Sequence, residues 1–374
     1  MKKIFKMIGI VVLSVVLVII VGVVLFIKIS PEFGGKISEE KKVVYAKSDN
    51  YEEGKFKNKE NADVDMSIGN FFKMLKQYMK SVPNTLPQKK LEVVKIDSAS
   101  IAKNETKTKM FWLGHSTFLL EMGKHNILID PMFGEVPAPH PTLGTKRFSK
   151  GLSIEIEALP QIDAVILSHD HYDHLDYGSI IKLKDKVEMF YVPLGLGAHL
   201  KEWGVQENKI VELDWWQEVS HNDLVFKCAP AQHFSGRGLS DRANTLWASW
   251  VIQSKNEKIF FSGDSGYSNH FKEIGEKYGP FDFAMMECGQ YNKLWSEIHM
   301  FPEETAQAAL DLNAKRMMPI HWGAFKLSLH SWTDPVERVI KKADELGVEI
   351  VVPQIGAEIN MTDSLGEQVY WWKE

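Results

Sequence analysis

Residues 164–174 read Ala-Val-Ile-Leu-Ser-His-Asp-His-Tyr-Asp-His, an apolar run that breaks into three histidines and two aspartates. The stretch Ala164 to Leu167 has the pattern of a strand buried on both faces. His169, His171, Asp173 and His174 then offer imidazole nitrogens and a carboxylate, donors that suit zinc and similar divalent cations. A turn leaving a rigid strand can aim alternate side chains at one point. The first and third residues of His169–His174 can therefore serve one cation while the fifth and sixth serve a second. A polar surface turn is the ordinary account of one or two histidines, but it does not explain this density directly after a buried strand.

Three further donors stand in the same context. His233 in Ala-Gln-His, Asp264 in Ser-Gly-Asp-Ser-Gly and His321 in Pro-Ile-His-Trp-Gly each lie just past an apolar run. Phe118–Leu120, Asn126–Ile129 before Asp130-Pro131, and Lys258–Phe261 read as strands of the same kind. Helices intervene: Pro302 takes a first helical position with Glu303 and Glu304 behind it. Val336, Val339, Ile340, Ala343 and Leu346 share a face before a stop at Gly347. Strands interleaved with helices predict an α/β domain over 110–374. Trp215, Trp216 and Phe271 are read as core packing, with an acyl groove as the alternative. No phosphate-binding loop or dinucleotide fingerprint occurs in the chain.

The amino terminus has a different chemistry. No charge occurs from Ile8 to Ile27, a run that at about 1.5 Å per residue crosses a hydrocarbon core of about 30 Å. Lys2, Lys3 and Lys6 also suit a signal peptide, yet Lys-Ile-Ser-Pro-Glu-Phe after Ile27 offers no small-x-small cleavage site. Residues 1–30 are therefore read as a single-pass transmembrane anchor in the cell membrane. The basic cluster before the run puts the domain over 110–374 on the outer face. Residues 31–66, rich in Lys, Glu, Asn and Asp, are read as a solvated polar stalk. Residues 67–109 are read as an amphipathic helix and linker. Ser67 is the N-cap, and Ile68, Phe71, Phe72, Leu75, Tyr78 and Met79 form a stripe flanked by Lys73, Lys76 and Lys80. Such a helix can lie in a membrane interface, but packing on its own domain is the commoner fate and is the expectation here.

Composition limits the partners. A net charge of -5 provides no global positive field to gather a polyanion, so nucleic acid is excluded as the expected substrate. Cys228 and Cys288, the only cysteines, supply neither a disulfide framework nor a thiolate cluster.

Taken together, the hexapeptide His169–His174, the lone His233, the Gly-Asp at Asp264 and the last His321 resemble the metallo-β-lactamase superfamily. Trp112–Thr117, Asp130-Pro131, Lys146–Phe148, Glu212–Trp216, Gly263–Tyr267, Gly279–Asp282 and His321–Gly323 resemble its N-acylphosphatidylethanolamine-hydrolysing phospholipase D branch. The resemblance covers roughly Met110 to Gly356. It implies an αββα sandwich behind one N-terminal transmembrane helix, and two divalent metal ions, zinc first with iron or manganese as alternatives. It also implies His169, His171 and His233 on one ion, Asp173, His174 and His321 on the other, and Asp264 bridging them. Asp173, Asp264 and His299 would be the catalytic residues, with Tyr172 and His299 touching substrate. In the family one Gln-Tyr pair contacts lipid, but this chain has Pro141-Thr142 in its place, which opens the identity of headgroup and acyl chain. Two cations sharing a water lower its pKa toward about 7 and leave hydroxide as nucleophile. The expected function is thus a membrane-anchored, binuclear phosphodiesterase of phospholipase D type acting on N-acylphosphatidylethanolamine or a related glycerophospholipid. The alternative is a metal-dependent hydrolase of a soluble ester, lactone or phosphodiester.

Overall fold

Two seven-stranded sheets form because most strands carry apolar residues at consecutive positions, so that both faces need cover. The computed structural model describes residues 1–60, 62, 67–80, 82–101, 107–361 and 369–373. The first sheet runs Glu358–Asn360, Lys109–Gly114, Thr117–Met122, His125–Ile129, Ile162–Ile166, Val187–Pro193, Ile210–Leu213. The second runs Glu349–Ile350, Arg316–Ile320, Phe283–Glu287, Lys258–Phe261, Ser249–Gln253, Leu224–Ala229, Glu218–His221.

Side chains alternate between layers with the strand period of two. Leu120, Ile127, Ile129 and Ile166 meet Phe226, Trp250, Ile252 and Phe261 in the core between the sheets. Their neighbours Leu119, Leu128 and Val165 turn outward onto Ile180, Leu183 and Leu200. On the other flank Phe260, Ala284 and Met317 meet Phe271, Ala309 and Val339. The result is helix, sheet, sheet, helix: the αββα sandwich expected from the sequence. Helix Pro302–Asp311 opens with Glu304 accepting from the Phe301 amide at 2.8 Å, and helix Asp334–Leu346 stops at Gly347, where φ is 69°.

The parallel parts of the sheets position the site. His125–Ile129, Ile162–Ile166 and Val187–Pro193 run parallel in one sheet, as do Lys258–Phe261, Phe283–Glu287 and Arg316–Ile320 in the other. Their carboxyl ends release Asp130, His169, Asp264, Glu287 and His321 at one edge of the sandwich, the end of open α/β sheets where ligands bind.

Helix Lys2–Ile29 has no buried residue and is long and apolar enough to cross a membrane. Two expectations about the segments between this helix and the sandwich are corrected. The segment read as a solvated stalk packs on the sandwich through residue 60. Helix Glu39–Tyr45 and the hairpin Tyr51–Glu52/Lys55–Phe56 seat Tyr45 and Phe56, each 2% exposed, in the central core. The Tyr45 hydroxyl donates to Glu212, Asn50 to Asp214 and Lys55 to Asn244. A few aromatics suffice to dock a segment whose average composition is polar. The last stalk positions, 61 and 63–66, lie outside the described residues except Ala62, as do 102–106 of the linker.

The second correction concerns helix Ile68–Tyr78, capped as expected by Ser67. Among the described residues its apolar stripe is largely exposed rather than packed: Phe72 is 61% exposed, Leu75 46% and Met79 80%, while Asn70 of the same helix is buried. The side chains of Ile68 and Phe71 lie outside the described residues.

Candidate metal centre

All seven sequence-predicted donors meet at the carboxyl edge, in two groups. His169, His171, His233 and Asp264 offer ligand atoms within 4.8 Å of one another, and Asp173, His174 and His321 do so together with His115. In the first group His171 Nδ1 lies 2.9 Å from His169 Nε2 and 3.2 Å from His233 Nε2. In the second, His174 Nε2 is 3.4 Å from Asp173 Oδ2. Asp264 belongs to both. Its Oδ2 is 3.8 Å from His169 and from His233, while Oδ1 is 3.2 Å from His174 Nε2 and 3.1 Å from His321 Nδ1.

These donors fit divalent cations. Two nitrogens on one tetrahedral zinc stand about 3.3 Å apart, close to the spacing of the first group. Among the described residues the buried atoms His174 Nε2 and Asp264 Oδ1 have no hydrogen-bond partner, and both face the gap between the groups. Burial pulls the imidazoles of His169, His233 and His321 well below their ordinary range, which keeps them neutral as ligands must be. Burial alone would raise the carboxyls of Asp173 and Asp264, but His174 above all holds both well below the usual carboxylate range. Burial opposes a charge on His174, but the carboxylates of Asp264, Asp173 and Asp130 hold its imidazole well above the ordinary range, so it is the cationic partner of that pair, a charge a divalent ion would supply in its place.

Behind the donors stands a second layer that the sequence reading did not assign. Asp130 accepts from the Ser168 amide at 2.7 Å and from His174 Nδ1 at 2.6 Å, which leaves Nε2 of that ring for the site. Asp170, inside the motif, faces away: its carboxylate accepts from Gly236 N and Thr245 Oγ1 and ties down the loop. His115, 2.8 Å from Asp173 Oδ2, sits in the second donor group itself. Both His115 and Asp130 follow apolar strands, the signal that revealed the other donors. His115, Asp130 and His321 take φ of 55°, 39° and 65°, a left-handed backbone costly for such residues and concentrated at functional sites.

His299 stands beside both groups, its ring 5.0 Å from that of His233 and 5.3 Å from that of His321. Its Nδ1 is 3.1 Å from Glu287 Oε1, a carboxyl that burial pushes up to about 7. Glu287 closes an all-buried strand, again a readable signal. Asn58 carries none: its Nδ2 donates to the His233 carbonyl at 2.8 Å, and its Oδ1 accepts from the His233 amide at 3.0 Å and from Trp247 Nε1. Tyr172 donates to the Arg237 carbonyl, with the Arg237 guanidinium 4.1 Å over its ring and Phe33 at its edge. Trp215 and Phe271 are core residues, as the packing reading expected.

An αββα sandwich with this donor set at its edge defines a metal-dependent hydrolase. A β-lactamase superfamily domain model matches residues 125–322, more than half of the chain, and the protein belongs to that family. An uncharacterized Mycobacterium tuberculosis protein is 42% identical over 264 residues, covering 70% of each chain. The Caenorhabditis elegans N-acyl-phosphatidylethanolamine-hydrolyzing phospholipase D 1 is 34% identical over 229 residues, 58% of this chain and 64% of that one. In structure, a metallo hydrolase from the archaeon Ignicoccus hospitalis superposes with a TM-score of 0.52 at 20% identity, over 69% of this chain and all of that one. That likeness supports the fold.

Proposed function

We propose that the protein is a membrane-anchored phosphodiesterase of phospholipase D type, acting on N-acylphosphatidylethanolamine or a closely related glycerophospholipid. The observation that carries this reading is where the apolar helix ends. Phe26, in its last turn, packs on Phe33 at 5.4 Å and on His140 at 6.1 Å, and Phe33 packs on Tyr172 of the donor loop. Arg237 Nε donates to the Glu32 carbonyl at 2.7 Å, and Trp203 Nε1 to that of Pro31 at 2.8 Å. A helix of membrane-spanning length is thus riveted beside the donors, and a lipid leaving the bilayer has a short path to them. The exposed stripe of Ile68–Tyr78, with Lys73, Lys76 and Lys80, suits a second contact with an anionic interface.

His169, His171 and His233 would hold one cation, Asp173, His174 and His321 the other, with Asp264 between them. Zinc is the proposed occupant, and iron or manganese suit the same donors. When bound, two such ions supply a nucleophile from water near neutral pH and neutralise charge developing on a phosphodiester. His299 is oriented by Glu287 through Nδ1, so its Nε2 is the nitrogen left for a phosphate oxygen or the departing alkoxide. Water adds to phosphorus, the bond to the headgroup oxygen breaks, and a proton passes to that oxygen. The products are phosphatidic acid and an N-acylethanolamine.

The test is a phosphorus NMR assay on vesicles containing N-acylphosphatidylethanolamine, using full-length protein of measured metal content. Phosphatidic acid should appear with wild type and not with His171→Ala. Metal-loaded protein that releases none, yet hydrolyses a soluble ester, would move the reading to a soluble substrate.

A further inference from the structure

A second cluster of metal-type donors lies far from the centre described above. His125 opens the strand whose far end leads to Asp130, and Asp163 stands near the start of the strand that leads to His169. His221 ends a strand of the opposite sheet, one turn before Leu224–Ala229, which runs on toward His233. At about 3.3 Å per residue these strands separate the two clusters by roughly 15 Å. One ring nitrogen from each histidine and an oxygen of Asp163 lie within 4.8 Å of one another.

Their other polar atoms are already engaged. His125 Nε2 is 2.7 Å from Asp223 Oδ1, and His221 Nδ1 is 2.9 Å from the Tyr191 hydroxyl. Asp163 Oδ2 accepts from the Asn126 amide at 2.8 Å. What remains is His125 Nδ1, which is buried, has no hydrogen-bond partner among the described residues, and lies 3.5 Å from Asp163 Oδ1. If His125 donates through Nε2 to Asp223, a lone pair on Nδ1 faces a carboxylate oxygen with nothing between them. That arrangement suits a cation between the two atoms. A histidine whose far nitrogen donates to a carboxylate is the recurrent second layer of metal sites. In the tautomer in which His221 Nδ1 donates to the Tyr191 oxygen, Nε2 keeps its lone pair, with the Asn222 side-chain amide 3.4 Å away.

We propose that His125, Asp163 and His221 form a separate site for a late first-row divalent cation such as zinc, oriented by Asp223 and Tyr191. Because His125 and Asp163 belong to one sheet and His221 to the other, the ion staples the two sheets at the end away from catalysis. The turn at Gly123 already rests on the Asp223 carboxylate there, where an added Cβ would sit 3.1 Å from Oδ2. A filled site adds its binding free energy to folding.

Untagged full-length protein in detergent micelles is stripped with chelator, titrated with zinc chloride, and its bound metal counted by mass spectrometry after gel filtration. Wild type should hold one equivalent more than either Asp163→Asn or His221→Gln, and that last equivalent should raise its thermal midpoint but not theirs. Asp223→Asn should bind the same ion about 10–100-fold more weakly. Circular dichroism identifies any variant that fails to fold, and the two substitutions stand in for each other. Equal stoichiometry in wild type and a folded variant overturns the proposal, leaving a polar cluster held by its own hydrogen bonds. The readout is a difference of one equivalent, so it does not depend on how many ions the catalytic centre carries.

Discussion

Asp264 divides its two oxygens between the donor groups, and although burial opposes it, the His174 imidazole above all holds the carboxyl well below the usual carboxylate range, so both oxygens are available as donors. The same logic reaches outward to residues that never touch a ligand position. Asn58 brackets the backbone of His233 with two hydrogen bonds and anchors Trp247 with a third. Asn58→Ala is expected to weaken zinc binding about 10–100-fold, as loss of an orienting partner does, measured by competition with a chelating dye. Unchanged affinity would reduce Asn58 to a packing residue. His270 gives a pH prediction. Burial, with Lys59 adding to it, pushes its imidazole from 6.5 down to about 3. The native state therefore binds fewer protons than the unfolded one between those values. Its contribution to stability is intact above pH 6.5 and is lost as pH falls toward 3, at up to about 1.4 kcal/mol per pH unit. Chemical denaturation from pH 7 to 4 should show a shallower decline for His270→Gln than for wild type; parallel curves would mean that the ring titrates normally.

Among the elements, five parallel strands act as pointers: His125–Ile129, Ile162–Ile166, Lys258–Phe261, Phe283–Glu287 and Arg316–Ile320 each end buried and lead to one of the polar residues at the shared edge. The helix Ile68–Tyr78 does the opposite and keeps apolar side chains outside. Exposed apolar side chains flanked by lysines on one helix suit the membrane interface proposed above. Leu75→Asp should lower partitioning of an anchor-less form onto anionic vesicles by about 10-fold or more, the cost of withdrawing one leucine from an apolar environment. Hydrolysis of a soluble substrate should stay the same. Sedimentation with vesicles measures the first, and equal partitioning would make the stripe a surface without a bilayer role.

At the scale of the molecule, the apolar helix and the hydrolase are in direct contact, through Phe26 on His140. Removing residues 1–30 leaves Pro31 and Glu32 in place for Trp203 and Arg237, so the truncated protein should retain its metal and its soluble activity while losing turnover on vesicles. Removing residues 1–62 strips Tyr45, Phe56 and Asn58 from the sandwich. Burying each aromatic contributes roughly 1.5–3 kcal/mol, so the thermal midpoint should fall by roughly 5 °C or more. A midpoint unmoved by the longer deletion would restore the solvated stalk.

The α/β class, the strands, the membrane-length helix and the clustered donors could be read directly from the chain. Each rests on a local pattern: period, cap, or a polar residue released by an apolar run. Two features could not be read that way. The docking of residues 31–60 depends on Tyr45 and Phe56 finding a core made by distant strands. The exposure of Phe72, Leu75 and Met79 depends on how helix Ile68–Tyr78 docks, which its periodicity does not specify. The roles of His115, Asp130, Glu287 and Asn58 were likewise decided by tertiary structure. A donor's chemistry belongs to its residue type, but its partner is whatever side chain the sheets bring within about 3 Å. For Asp130, His115 and Asn58 that partner lies 44, 58 and 175 positions away along the chain.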